Sequence, residues 1–398
     1  MKAFFVLLLS SALLWGQAET PATAVPSESP ETTESPQPPQ PKQVTLEDDG
    51  TRVSVLGYHV FSSSEPATQM RIPTEKFREQ MQRVKDSGIP VITLDQFLKW
   101  RRGEAPLPPK AILITMDDGW KSVYTEAYPI MKELQLPFTI YLYMNYVDGG
   151  GRALTTAMIK EMMKSGLCTI GCHSTSHPFP ATVKRHAKAG PEAYGDFLSR
   201  EMADSKKFLE EKFGQKVTTY AYPGGYHTPE MHLLADELGY DHLFTVIPGK
   251  VSRDSPIHTL NRYIVLGNHD AAFEAALTFR NGALAGGSAT LAAPPTTPHP
   301  VQPAPGALVE SRLPKISADL SEVADLDPES LEMLVGGFGK VPAKYNAEKK
   351  SFSWKINRPL RQPATQVKVT WKDTKGKAAE KDLEWFFRLD YSAAYLPK

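Results

Sequence analysis

Two adjacent carboxylates, Asp117 and Asp118, close the run Ala111-Ile112-Leu113-Ile114-Thr115-Met116 and are followed by Gly119 and Trp120. A short apolar run rich in branched residues predicts a buried strand, and Gly119 predicts a turn at its end. Carboxylates at a strand's C-terminal end stand where α/β sheets and barrels keep their chemistry. Side by side they repel, so a site that keeps both ionised wants a cation, which would invert the local pKa logic. A solvated Asp-Asp-Gly turn is the plain alternative for that tripeptide alone. A second stretch, Gly171-Cys172-His173-Ser174-Thr175-Ser176-His177-Pro178, sets two imidazoles four residues apart at the end of another predicted strand. On a straight strand the rings could not share an ion. If residues 174–176 curl into a helical turn, the rings become neighbours at ~6 Å, and Ser and Thr before a Pro favour a turn. With one of the Asp carboxylates they make a two-His-one-carboxylate set. Such a set leaves coordination positions for water and substrate, which is the catalytic arrangement rather than the structural one.

These stretches need elements to hold them. Val53 to Val60 reads as a first strand, and a helix follows from Thr74 with Phe77, Met81 and Val84 on one face. After a second helix through Leu94, Phe97 and Leu98 comes the Ala111 strand. Strands at 138–143, 169–173, 217–222, 242–246 and 263–266 then alternate with helices at 155–164, within 192–213, at 229–238 and at 271–279. Alternation over this length predicts a mostly parallel sheet with helices outside, and about seven strands suit a closed or nearly closed barrel.

The chain has 398 residues, 41% hydrophobic and 23% charged, with formal net charge zero. Two domains are the natural expectation at that length, and nothing in the charge points to nucleic acid or an anionic membrane. Residues 1–18 read as a secretory signal peptide, with Lys2, an apolar stretch to Leu14 and small residues at Gly16 and Ala18. That stretch is too short to span ~30 Å of hydrocarbon, so the expectation is a secreted or periplasmic, cell-envelope protein without a transmembrane segment after cleavage. Residues 19–51 read as a Pro-rich disordered tether, 52–283 as the barrel and 284–306 as a second Pro-rich linker. Residues 307–398, with short alternating runs such as Gln366-Val367-Lys368-Val369-Thr370-Trp371, read as a small all-β, Ig-like sandwich. This sandwich could serve as a carbohydrate or cell-wall module. Its three tryptophans, Trp354, Trp371 and Trp385, are expected mainly in its core. Cys168 and Cys172 would lie ~13 Å apart on one strand, too far for a disulfide, and are expected as buried thiols.

The sequence resembles the NodB-type polysaccharide deacetylases, carbohydrate esterase family four. Thr115-Met116-Asp117-Asp118-Gly119 is similar to that family's Thr-Phe-Asp-Asp-Gly motif, and His173 to His177 matches its His-Ser/Thr-x-x-His motif. Tyr220-Ala221-Tyr222-Pro223-Gly224-Gly225 is similar to the third motif, and Tyr58-His59 to the first strand of many members. The resemblance covers about residues 52–282 and implies a distorted (β/α)7 barrel that removes acetyl groups from N-acetylhexosamines. It implies one divalent metal ion, zinc foremost, with cobalt, nickel or iron also suited to the donors, held by Asp118, His173 and His177. Asp117 would be the general base that deprotonates the attacking water. The Tyr222 backbone N–H would help hold the oxyanion and Trp120 would face substrate. His269 would protonate the leaving amine, and His59 is read as a scaffold hydrogen-bonder. Met116 stands where the family has an aromatic, and Ala221 where many members carry an Arg that orients the catalytic Asp. Arg262, just before the last strand, is expected to reach in as the substitute.

The function expected is deacetylation of a GlcNAc-containing polysaccharide: peptidoglycan, a chitin-like chain or poly-N-acetylglucosamine. An O-acetyl xylan esterase, or a non-catalytic glycan-binding protein on the same barrel, are the alternatives.

Overall fold

The computed structural model describes residues 46–279, 297–360, 364–390 and 394–395. The signal-peptide stretch, most of the tether and most of the 284–306 linker lie outside the described residues.

Among the described residues, nine strands belong to the first part of the chain: β1 (Arg52–Tyr58), β2 (Val60–Ser62), β3 (Arg71–Pro73), β4 (Lys110–Asp118), β5 (Phe138–Leu142), β6 (Cys168–Cys172), β7 (Thr219–Ala221), β8 (His242–Phe244) and β9 (Tyr263–Ile264). Seven of them form one parallel sheet in the order β8-β7-β6-β5-β4-β1-β9, while β2 and β3 pair separately. The two edges approach through the segment before β9: Leu260 bridges Phe244 of β8, and the Arg262 N–H donates to the Ile247 carbonyl. The result is the distorted (β/α)7 barrel.

Period-two alternation divides the strand residues between two cores. On β4, Ile112, Ile114 and Met116 face the outer helices and join the large cluster with Phe77, Met81 and Ile130. Ala111 and Leu113 face the interior and join Val53, Val55, Tyr141 and Phe244. The helix Leu94–Arg101 adds Phe97 and Trp100 to that inner cluster. Its Thr93 capping box satisfies the first turn. Asp117 continues the interior face of β4 and is 1% exposed. Two glycines make room inside. A Cβ on Gly171 would fall 2.3 Å from Tyr141, and one on Gly57 would fall 2.7 Å from Ile264.

The helix read within 192–213 is Pro191–Ser199 and Ser205–Phe213 joined by a π-turn at Arg200–Asp204. The helix Pro180–Lys188 escaped the sequence reading, because its polar run Lys184-Arg185-His186 buries only Val183. Among the described residues no helix is long and apolar enough to cross a membrane.

The C-terminal part is all-β. A four-stranded sheet (301–302, 315–319, 351–355 and 344–346) and a five-stranded sheet (308–309, 383–389, 364–370, 332–335 and 339–341) share one core. That core holds Ile316, Phe352 and Trp354 from the first sheet and Met333, Val367 and Phe387 from the second. The strand Val301–Gln302 begins inside the stretch read as linker: proline there hid a strand that pairs with Ser317 and Ala318. Trp354 and Trp385 are buried and Trp371 is half-buried.

Candidate active site

Asp117 and Asp118 end β4, His59 follows β1, His173 follows β6, and Ala221 ends β7. Parallel strands put all these ends on one face, so residues far apart in sequence meet there. Arg262 precedes its strand and would be expected at the opposite face. It is not, because the two-residue β9 pairs only with Leu56 and Gly57, near the C-terminal end of β1.

The backbone turns abruptly at both functional stretches. Among the described residues seven non-glycines have positive φ, and three of them are Asp118 (73°), Ser174 (77°) and His177 (54°). Such conformations cost free energy and persist where surroundings enforce them. The turn between the histidines is therefore not the helical one expected. Ser174 Oγ accepts from the His177 N–H at 2.9 Å, and the His173 and His177 ring centroids stand 5.0 Å apart.

A residue outside every quoted motif holds that turn. Glu201, 7% exposed on the π-turn, accepts from the Thr175 N–H at 3.2 Å, the Ser176 N–H at 2.9 Å and the Ser176 hydroxyl at 2.7 Å. A π-turn shifts a side chain off the helical register and is frequent at functional sites. The sequence carries no cue to this role: with Arg200 beside it and Lys206 close by, Glu201 reads as an ordinary helix carboxylate.

Three donor atoms converge. Asp118 Oδ1 lies 3.5 Å from His173 Nε2 and 3.4 Å from His177 Nε2. The set Asp118, His173 and His177 is one that could hold a metal ion, with its ligand atoms within 4.8 Å of one another. The hydrogen-bond pattern fits that use. Trp120 Nε1 donates to Asp118 Oδ2 at 2.9 Å, while Oδ1 is buried without a hydrogen-bond partner. His173 Nδ1 lies 2.6 Å from the Ala221 carbonyl; a carbonyl only accepts, so Nδ1 carries the proton and Nε2 offers its lone pair. Burial disfavours the Asp118 carboxylate, yet the neighbouring imidazoles of His173, His59 and His177 outweigh it and hold its pKa well below the usual range. Burial and the neighbouring His173 push His177 down to about 4, leaving its imidazole neutral near pH 7.

Asp117 is set differently. Arg262 is fully buried, and its Nη1 donates to Asp117 Oδ1 at 2.7 Å. The guanidinium is braced by the Thr245 carbonyl at 3.1 Å and lies over the Tyr141 ring. Burial alone would raise the Asp117 pKa; Arg262, then His173 and His59, reverse this and lower it. Oδ2 is left facing His59 Nε2 at 3.8 Å and His173 Nε2 at 4.0 Å.

Three sequence expectations change here. The Tyr222 N–H donates to the Phe244 carbonyl at 3.0 Å, extending the β7–β8 ladder by one residue, so it is not available to an oxyanion. His269 is exposed, and its described contact is a backbone bridge to Leu266 just before the helix Ala271–Leu277; the structure does not join it to the other site residues. His59, read as a scaffold hydrogen-bonder, has its Nδ1 buried without a hydrogen-bond partner and its Nε2 toward Asp117.

Comparison with known proteins follows the same lines. Residues 104–243 match the family model described as polysaccharide deacetylase. YxkH of Bacillus subtilis is 29% identical over 211 residues, covering 53% of this chain and 70% of that protein. The poly-beta-1,6-N-acetyl-D-glucosamine N-deacetylase of Staphylococcus aureus is 24% identical over 220 residues, 54% of this chain and 74% of that protein. The solved structure of IcaB from Ammonifex degensii aligns with a TM-score of 0.50 at 26% identity, covering 57% of this chain and 97% of that one. The barrel of this chain thus contains the polysaccharide deacetylase match at residues 104–243 and resembles the NodB-type deacetylases in sequence and fold.

Proposed function

We propose that the protein is an exported, metal-dependent N-deacetylase of a β-linked N-acetylglucosamine polymer. The observation that carries this reading is the convergence of Asp118 Oδ1 with His173 Nε2 and His177 Nε2, beside a second carboxylate held by a buried arginine. The name of the Staphylococcus aureus relative supports poly-β-1,6-N-acetylglucosamine as the first polymer to test. The apolar N-terminal stretch supports action outside the cytoplasm.

Asp118, His173 and His177 would hold a divalent ion, zinc foremost, which would supply Lewis acidity to an attacking water and to the acetyl carbonyl. Asp117 takes the proton from that water: Arg262 occupies Oδ1 and keeps the carboxylate ionised, so Oδ2 is the accepting atom. A carbon–oxygen bond forms at the acetyl carbon, the carbon–nitrogen bond breaks, and the leaving amine takes up a proton. We assign that proton to His59 in place of His269, because the His59 ring reaches Asp117 and is 13% exposed at the same strand-end face.

The test of the reading is acetate release from β-1,6- and β-1,4-linked N-acetylglucosamine oligomers, from peptidoglycan and from acetylated xylan. Release from an N-acetylglucosamine polymer that stops on chelation and returns with zinc is expected. Release from xylan alone would move the reading to an O-acetyl esterase, and no release with glycan binding intact would overturn turnover altogether. His59→Ala is expected to lower kcat/KM by about 10²-fold or more, while His269→Ala leaves it as it was. The opposite pattern would return the acid to His269.

A further inference from the structure

We propose that Phe179, Tyr143, Tyr146 and Trp120 form a sugar-stacking subsite that receives the pyranose ring next to the one being deacetylated. This rests on the deacetylase reading and names how the same site would grip its polymer.

The rings run in an unbroken arc around the donor set. Phe179 meets the His177 ring at 6.0 Å, His177 meets Tyr143 at 5.5 Å, Tyr143 stacks on Tyr146 at 5.1 Å and 9°, and Tyr146 meets Trp120 edge-on at 5.2 Å. The arc therefore begins at one proposed ligand, His177, and ends at another, because the Trp120 indole is tied to Asp118.

Phe179 is the member that no packing requirement explains. It is 69% exposed, whereas its neighbour Pro178 is buried. Alone, an exposed ring would need no explanation, but this one adjoins the His177 ring and so extends a contiguous row of rings, and a contiguous apolar surface is what marks a binding site. Its presentation is also rigid. The Phe179 carbonyl accepts from the Thr182 and Val183 N–H groups at 2.9 and 3.2 Å and so starts the helix Pro180–Lys188, while two residues earlier His177 is pinned by Ser174. A fixed aromatic loses little conformational entropy when a ligand covers it.

The ligand class follows from the surface. A pyranose offers an apolar face of C–H groups and a rim of hydroxyls, matching aromatic rings whose phenol and indole edges carry polar atoms. Tyr143, Tyr146 and Trp120 are half-buried, in contrast to the fully buried rings of the barrel core. A single acetyl group would need none of this; a chain of sugars would.

The experiment is steady-state acetate release by the full-length, zinc-loaded protein on β-1,6-linked N-acetylglucosamine oligomers of two to five units. Wild type is expected to gain in kcat/KM with length. Phe179→Ala is expected to raise KM for the five-unit oligomer about tenfold, the equivalent of one stacked ring, and to flatten the length dependence. Phe179→Trp should restore it and Phe179→Leu should not, which separates ring stacking from plain apolar contact. Unfolding midpoints check that each variant is folded. Equal KM for Phe179→Ala and wild type at every length overturns the subsite. If wild type releases no acetate, the deacetylase reading fails, and calorimetric binding of the five-unit oligomer then decides. A tenfold loss of affinity in Phe179→Ala upholds the subsite, and unchanged affinity removes it.

Discussion

Asp117→Asn should lower acetate release by about 10²–10⁴-fold, the range lost when a positioned general base is removed. The amide is nearly the same size, so the interior packing at this 1%-exposed position is kept. Zinc affinity should hold, because Asp118 Oδ1, His173 Nε2 and His177 Nε2 are the convergent atoms and Asp117 Oδ2 is 4.0 Å from His173. Single-turnover acetate release and zinc titration on the same sample separate the two effects. Activity and zinc binding falling together would make Asp117 a ligand instead of a base.

Arg262→Ala should cost about 3–5 kcal/mol of stability, as expected when one partner of a buried ion pair is removed. It leaves the Asp117 carboxylate inside the barrel without its strongest opposing charge. The sign of the pH effect follows. In wild type the Asp117 pKa is depressed, so its contribution to stability is present above the unfolded value of about 3.9 and is lost as pH falls through the folded value. Without Arg262, burial dominates and the folded pKa rises. The folded state then holds a proton that the unfolded state has released, and stability falls as pH rises through that interval. The variant should therefore lose least stability in mildly acidic buffer, and the acid limb of its kcat/KM profile should move to higher pH. Urea unfolding across pH measures the first effect and pH–rate profiles the second. Asp117→Asn placed in the Arg262→Ala background should recover part of the lost stability, since an amide needs no counter-charge. A single variant as stable as wild type at neutral pH would mean that the pair contributes nothing to the fold.

Both expectations depend on a contact between residues 145 positions apart, and they show how unevenly the site could be read from the chain. Asp117, Asp118, His173 and His177 were legible because each pair is local: neighbouring carboxylates and a four-residue histidine spacing, each behind an apolar run. The alternation of strands and helices was legible for the same reason, since the hydrophobic period is a property of consecutive residues. Arg262 could be named from the sequence, but its reach depends on β9 pairing with the last residues of β1.

Other residues carried no local signal of their place. Nothing around Tyr222 announces that Phe244 takes its N–H, because that bond belongs to a neighbouring strand. His59 and His269 look alike as isolated imidazoles. Parallel register puts the first beside Asp117, and a turn before the helix Ala271–Leu277 leaves the second in water. Glu201 reads as one more helix carboxylate until a π-turn aims it at the Thr175 and Ser176 amides. Residue types and spacing along the chain thus carried the fold class and the donor atoms, because propensity and hydrophobic period are local quantities. Which nitrogen faces which oxygen, and which polar groups are already satisfied, came from strand register and burial, which arise only when distant segments pack together.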